Sequence, residues 1–221
     1  MGWSSVLKSL LTVFVFSTLA VISVESYNCT KVGCTNGNCV ENTGFCLTSF
    51  SCFSQIQKLE TASPGTNLLL EQKGCATFLN PCDMEFSATL GNQQKFKYKN
   101  QCCTGDFCNK DNISLTPLSS EVNGVECPAC YNEQNQTCPT TTTLKCTGAE
   151  NKCVEVTGRD PSSKVVVYGK GCATESACTL NINILTYLQI KTSCIPAVSK
   201  SPALKSFASL PIVLFLLKIV L

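Results

Sequence analysis

Eighteen cysteines lie between Cys29 and Cys194, and none falls in the apolar stretches that begin and end the chain. A density of that order belongs to chains oxidised outside the cytosol, where disulfides form and persist. Kept reduced, this polypeptide would have little to hold it together. Small modules bury too little apolar surface to offset their chain entropy comfortably. Each cross-link supplies on the order of 2–4 kcal/mol by restricting the unfolded state. The fold class expected is small and disulfide-rich, all-β by the strand alternation within it, with loops that cross-links rather than a large core hold in place.

The two ends read as processing segments. Lys8 precedes an almost wholly apolar run from Leu10 to Ile22, and small residues follow at Ser23 and Ser26. That is the layout of a cleaved secretory signal, assigned to residues 1–26, and the run is short for a membrane span. Gly2 does not open a myristoylation motif, because Val6 stands where Ser or Thr is needed. At the far end, Ser199-Lys200-Ser201, a polar spacer from Pro202 to Ser209 and an apolar tail from Leu210 to Leu221 resemble a glycosylphosphatidylinositol (GPI) anchor signal. Residues 196–221 are read as stalk and anchor signal, with Ser199 as the lipidation site. The alternative of a spanning helix wants a longer stretch and a basic flank. The expected location is the extracellular face of the cell membrane, held in the outer leaflet, with a secreted form as the other state open to such a chain.

Between these ends the chain repeats itself. One cysteine set is Cys29, Cys34, Cys39, Cys46, Cys52, Cys75, Cys82, Cys102, Cys103 and Cys108; the other is Cys127, Cys130, Cys138, Cys146, Cys153, Cys172, Cys178 and Cys194. Lys73-Gly74-Cys75-Ala76-Thr77 recurs as Lys170-Gly171-Cys172-Ala173-Thr174. Two copies of one module follow, at 27–109 and 127–195, joined by a polar, cysteine-free linker at 110–126. Within them, turn-rich segments separate short strands. Val154-Glu155-Val156 alternates, residues 158–163 turn, and Lys164 to Tyr168 runs back. Phe53 to Glu60 and Leu68 to Lys73 flank a second turn. Lys95 to Lys99 and Leu180 to Ile184 show the two-residue period of half-buried strands. No convincing amphipathic helix interrupts either module.

The run Cys102-Cys103-Thr104-Gly105-Asp106-Phe107-Cys108-Asn109 resembles the CC-x4-CN ending of three-finger modules, found in the urokinase receptor, lymphocyte antigens, complement protectin and snake toxins. Spacing leaves connectivity open. The resemblance implies Cys29–Cys52, Cys34–Cys39, Cys46–Cys75, Cys82–Cys102 and Cys103–Cys108, with three fingers over Thr30–Phe45, Phe53–Gly74 and Asp83–Gln101. Carried to the second module it implies Cys127–Cys153, Cys130–Cys138, Cys146–Cys172 and Cys178–Cys194. That copy lacks the CC pair and the closing C-N, which puts its closure in question. The segments Asn123 to Tyr131, Leu144 to Glu150 and Gly171 to Thr174 are similar to the second module of two-domain, gamma-type phospholipase inhibitors. The chain thus resembles that two-domain type of the urokinase receptor and lymphocyte antigen-six superfamily. Fold likeness alone does not carry inhibition across.

The chain contains no histidine, which removes the commonest general base and nucleophile partner and most zinc sites. Neither an enzyme nor a metal protein is expected, and no cofactor. Cys127-Pro128-Ala129-Cys130 has redox spacing, but the implied pairing sends its two members to different partners. Glu150 and Glu155 read as solvated charge. Acidic and basic residues nearly cancel, so nucleic acid is not an expected partner. Three glycosylation sequons begin at Asn28, Asn112 and Asn135; Asn112 and Asn135 are the expected glycan sites, whereas Asn28 sits against a cross-link. Lys95, Lys97 and Lys99 share one strand face and are the candidate binding residues, against the plainer reading that lysines protect an edge strand. The function expected is non-catalytic recognition of an extracellular protein partner through the finger loops. A phospholipase inhibitor and a structural or adhesive coat protein are the alternatives.

Overall fold

The computed structural model describes residues 26–40, 44–77, 82–133 and 136–198. The secretory-signal run, Asn135, Ser199 and the tail from Leu210 to Leu221 lie outside the described residues. Those described are all-β, without an α-helix, and cluster into two compact units. The first runs up to Gln57 and adds Leu68–Met84 and Tyr98–Leu115; the second holds Lys58–Asn67, Glu85–Lys97 and the described residues from Thr116 onward.

In the first unit, strand β1 (Tyr27–Thr35) is the hub. It pairs antiparallel with β2 (Asn38–Cys39), β3 (Gly44–Thr48) and β5 (Leu68–Ala76). Asn36 and Gly37 both take positive φ, 50° and 80°, as a two-residue hairpin turn demands, and the Cys34–Cys39 disulfide staples the hairpin they form. Strand β4 (Ser51–Glu60) lies beside β5. Further disulfides join Cys29 to Cys52, Cys46 to Cys75, Cys82 to Cys102 and Cys103 to Cys108. Two more strands, β6 (Met84–Leu90) and β7 (Lys95–Cys103), are shared between the units: Met84 and Tyr98–Cys103 fall in the first, Glu85–Leu90 and Lys95–Lys97 in the second. Tyr98 of β7 is buried, and its hydroxyl accepts a hydrogen bond from Gln55 Nε2 at 2.6 Å.

The short loop closed by Cys103–Cys108 delivers Asn109 into the knot. Its buried amide accepts from Thr30 N–H at 2.9 Å and donates to the carbonyls of Thr30 at 2.9 Å and Phe53 at 3.0 Å. One side chain thereby ties β1 to β4, which gives the final asparagine of the motif a mechanical role.

The second unit carries β8 (Val122–Asn132), β9 (Thr142–Thr147), β10 (Lys152–Arg159), β11 (Val165–Ala173), β12 (Asn181–Ile184) and β13 (Leu188–Ile195). β10 lies between β11 and β13, β12 edges β13, and β8 pairs with both β9 and β11. Its disulfides are Cys127–Cys153, Cys130–Cys138, Cys146–Cys172 and Cys178–Cys194. Cys127, Cys146, Cys153 and Cys172 make a buried cluster capped by Val125, Leu144 and Ile195. Residues Ala88 to Leu90 of β6 pair with Gly171 to Ala173 of β11. A β-carbon on Gly171 would overlap the backbone at Thr89 and Leu90, so glycine is what lets these strands approach.

The missing CC pair does not leave this unit open. β13 follows β10 until Ile195 faces Cys153, and Val198 N–H donates to the Glu126 carbonyl at 2.8 Å. Strand pairing and one backbone hydrogen bond stand where the first unit uses a disulfide loop.

Candidate recognition surfaces

Period-two alternation puts Phe96, Tyr98 and Asn100 on one face of β7 and Lys95, Lys97 and Lys99 on the other. Phe96 packs at a tilt against Phe86, centroids 5.9 Å apart. β7 has β6 on one side and β4 on the other, so the lysines guard no free edge, and that plainer reading is corrected. Lys95 and Lys97 fall in the second unit and Lys99 in the first. The first two lie in the field of their own unit's carboxylates. Glu60 is held below the usual carboxylate range by the Lys58 ammonium, 2.6 Å away, with Lys97 and Lys95 adding to the effect.

The second carboxylate is Glu150, and here sequence reasoning failed. Read as solvated, its side chain is 1% exposed and its Oε1 lacks a hydrogen-bond partner. Burial pushes its pKa up, and the Thr89 hydroxyl and the charges of Lys95 and Lys97 only partly oppose the rise. Glu155 is half-buried, accepting from the Tyr168 hydroxyl at 3.0 Å with Lys170 Nζ at 3.6 Å.

Asn112 is exposed, and its Oδ1 accepts from Lys73 Nζ at 2.7 Å. The Asn28 amide nitrogen donates instead to Asp106 Oδ1 at 3.1 Å, beside a bond from its own backbone N–H at 2.7 Å. Cys127 and Cys130 belong to different disulfides. Two sulfur triplets, Cys29-Cys46-Cys75 and Cys127-Cys146-Cys172, are close enough to resemble metal cages. Every one of these sulfurs is in a disulfide, and a disulfide sulfur is not the thiolate that zinc needs.

Two features escaped the sequence reading. Phe45 and Leu47 of β3 are 67% and 65% exposed. Cys46 between them is committed to Cys75, so its neighbours must face away; that commitment was the available sequence signal. The other is an apolar cavity of about 490 Å³ in the second unit, whose lining includes Phe86, Phe96, Val154, Ile184, Leu188 and Ile190. No single segment encodes it.

Two cross-linked β units bearing looped hairpins define a fold of the three-finger class. The u-PAR/Ly-6 domain family matches residues 123–197. Protein RoBo-1 of Rattus norvegicus is 44% identical over 213 residues, 95% of this chain and 86% of that protein. Phospholipase A2 inhibitor NAI of Notechis ater is 34% identical, covering 61% of this chain and 70% of the inhibitor. A gamma-type phospholipase A2 inhibitor of Laticauda semifasciata is also 34% identical, over 58% of this chain and 74% of that protein. The chain belongs to the u-PAR/Ly-6 family, in its two-domain form, and this is a family of binding proteins rather than catalysts.

Proposed function

We propose that this chain is a GPI-anchored recognition protein of the cell surface that binds an extracellular protein through its finger loops. The observation that carries the reading is the outward pair Phe45 and Leu47 of β3, 67% and 65% exposed, at the base of the first finger on the scaffold of a binding family. Large apolar side chains turned to solvent together mark contact sites on disulfide scaffolds as elsewhere. Support for the tether comes from the small residues at Ser199, the polar spacer and the apolar tail. In this reading the modules are 27–109 and 127–195 with 110–126 as linker, and Asn112 and Asn135 carry glycans.

The test begins with cells expressing the full chain and treated with phosphatidylinositol-specific phospholipase C. Release is expected, and a truncation ending at Pro196 should be secreted without treatment. Resistance to release, with an epitope placed after Leu221 still attached, overturns the tether. Recognition is tested by surface cross-linking with a Phe45→Ser, Leu47→Ser double variant, which leaves all cysteines in place. Loss of a captured extracellular partner supports the reading, and undiminished capture defeats it. A second reading, inhibition of phospholipase A2, is favoured by the two inhibitors at 34% identity. Failure of the purified protein to slow the enzyme at equimolar ratio would remove it.

A further inference from the structure

The cavity of the second unit has the volume of a small-molecule site, which typically spans roughly 300–1,000 Å³. Its walls are aliphatic and aromatic, with Phe86, Val154 and Ile190 among them. Tyr131, Tyr187 and Glu133 also line it. The Tyr131 hydroxyl donates to Glu133 Oε1 at 3.2 Å. Burial, with Glu133 and Tyr187 close by, pushes the Tyr131 phenol up to about 12. Tyr187 is 61% exposed, a large aromatic ring left in water beside an apolar hollow.

Charge selects the occupant. The ionised residues lining the cavity are Glu133, Asp160 and Lys95. Lys95 stands in the field of Glu60 and Glu150, and Asp160 is engaged by the Ser162 hydroxyl, the Lys164 backbone N–H and the Lys164 charge, which leaves Glu133, bonded to the Tyr131 hydroxyl, as the charge at the tyrosines. An anionic head would be repelled there. A quaternary ammonium would meet two tyrosine rings and a carboxylate of the lining, the groups that attract such cations. We propose that this cavity binds a single-chain amphiphile with a quaternary-ammonium head, its alkyl chain among the aliphatic walls and its head against Tyr131, Tyr187 and Glu133. The proposal depends neither on the membrane tether nor on the protein partner.

The experiment is titration calorimetry on the protein purified from cells expressing the full chain. The probes are dodecyltrimethylammonium, dodecyl maltoside and dodecanoate, each below its micellar concentration. The ammonium should bind about tenfold tighter than the other two, and a decyl analogue roughly tenfold weaker than the dodecyl, following the gain per buried methylene. Glu133→Gln, an exposed position, should weaken the ammonium about three- to tenfold and leave the maltoside unchanged. Val167→Phe, which adds a ring to the lining, should abolish binding of all three. Equal or tighter binding of dodecanoate, or an indifferent Glu133→Gln, overturns the head assignment. No binding by any probe, or full binding to a folded Val167→Phe protein, overturns the site. Should Val167→Phe not fold, the Glu133→Gln comparison decides alone.

Discussion

Asn109 pairs with Thr30 as a strand residue would, accepting from its N–H and donating to its carbonyl, both at 2.9 Å, through a side chain rather than a backbone. The two residues are far apart in sequence, and the amide is 3% exposed. Asn109→Ala strands the N–H and carbonyl of Thr30 and the Phe53 carbonyl where water reaches poorly. A loss of about 2–4 kcal/mol is expected, read by denaturant unfolding. Asn109→Asp keeps the acceptor and loses the donor, so it should also destabilise.

Two glycines at equivalent places in the repeated motif should behave differently. A β-carbon at Gly171 overlaps backbone atoms of Thr89 and Leu90, whereas the nearest group to one at Gly74 is the Phe53 ring, at 3.1 Å. A ring can shift by tenths of an ångström and a paired strand cannot. Gly171→Ala should cost more than about 2 kcal/mol and expose the amides of Ala88 to Leu90 to hydrogen exchange; Gly74→Ala should cost under about 1 kcal/mol.

Glu150 makes stability depend on pH. Its folded pKa lies above the ordinary value of 4.5, so the folded state holds its proton to higher pH than the unfolded state. Stability from this group is present below pH 4.5 and is lost as pH rises through the folded pKa. Glu150→Gln removes the buried charge. It should raise the melting temperature by about 2–4 °C at neutral pH and change little at pH 4. A variant no more stable at pH 7 than at pH 4, relative to the parent, would contradict this origin.

The cross-links themselves are open to direct mapping. Non-reducing peptide mapping of the expressed protein should return nine pairs, none joining a residue before Asn109 to one after Glu126. Cys46→Ala leaves Cys75 unpaired and forfeits about 2–5 kcal/mol, so it should block secretion. Arg159→Ala at the exposed β10–β11 turn should not.

What was legible in the sequence was local. The alternation of Val154 and Val156 and the turn after Gly158 announce the β10–β11 hairpin, because period two and turn residues act over a few positions. The structure extends that hairpin to Lys152 and Ala173. The lysine face of β7 was equally plain, but its surroundings were not: they depend on β4 and β6 flanking it. The surroundings of Glu150 include Thr89 of β6, brought from remote sequence by the pairing of β6 with β11. Nothing around Gly148-Ala149-Glu150 advertises it. The cavity was illegible for the same reason, since its walls come from β4, β6, β7, β8, β10, β11 and the segment beyond Thr174.

The disulfide map also sets a timetable for synthesis. The widest bond spans 29 residues and the narrowest 5, so each cysteine meets its partner within about six seconds at a typical elongation rate of roughly 5–20 residues per second. No thiol of the first module waits for the second to emerge. The pairing of β6 with β11 must wait, because Gly171 arrives long after Leu90. Covalent closure therefore runs ahead of sheet completion: in an oxidising compartment the first knot closes while Ala88 to Leu90 still offer unpaired backbone to a chaperone.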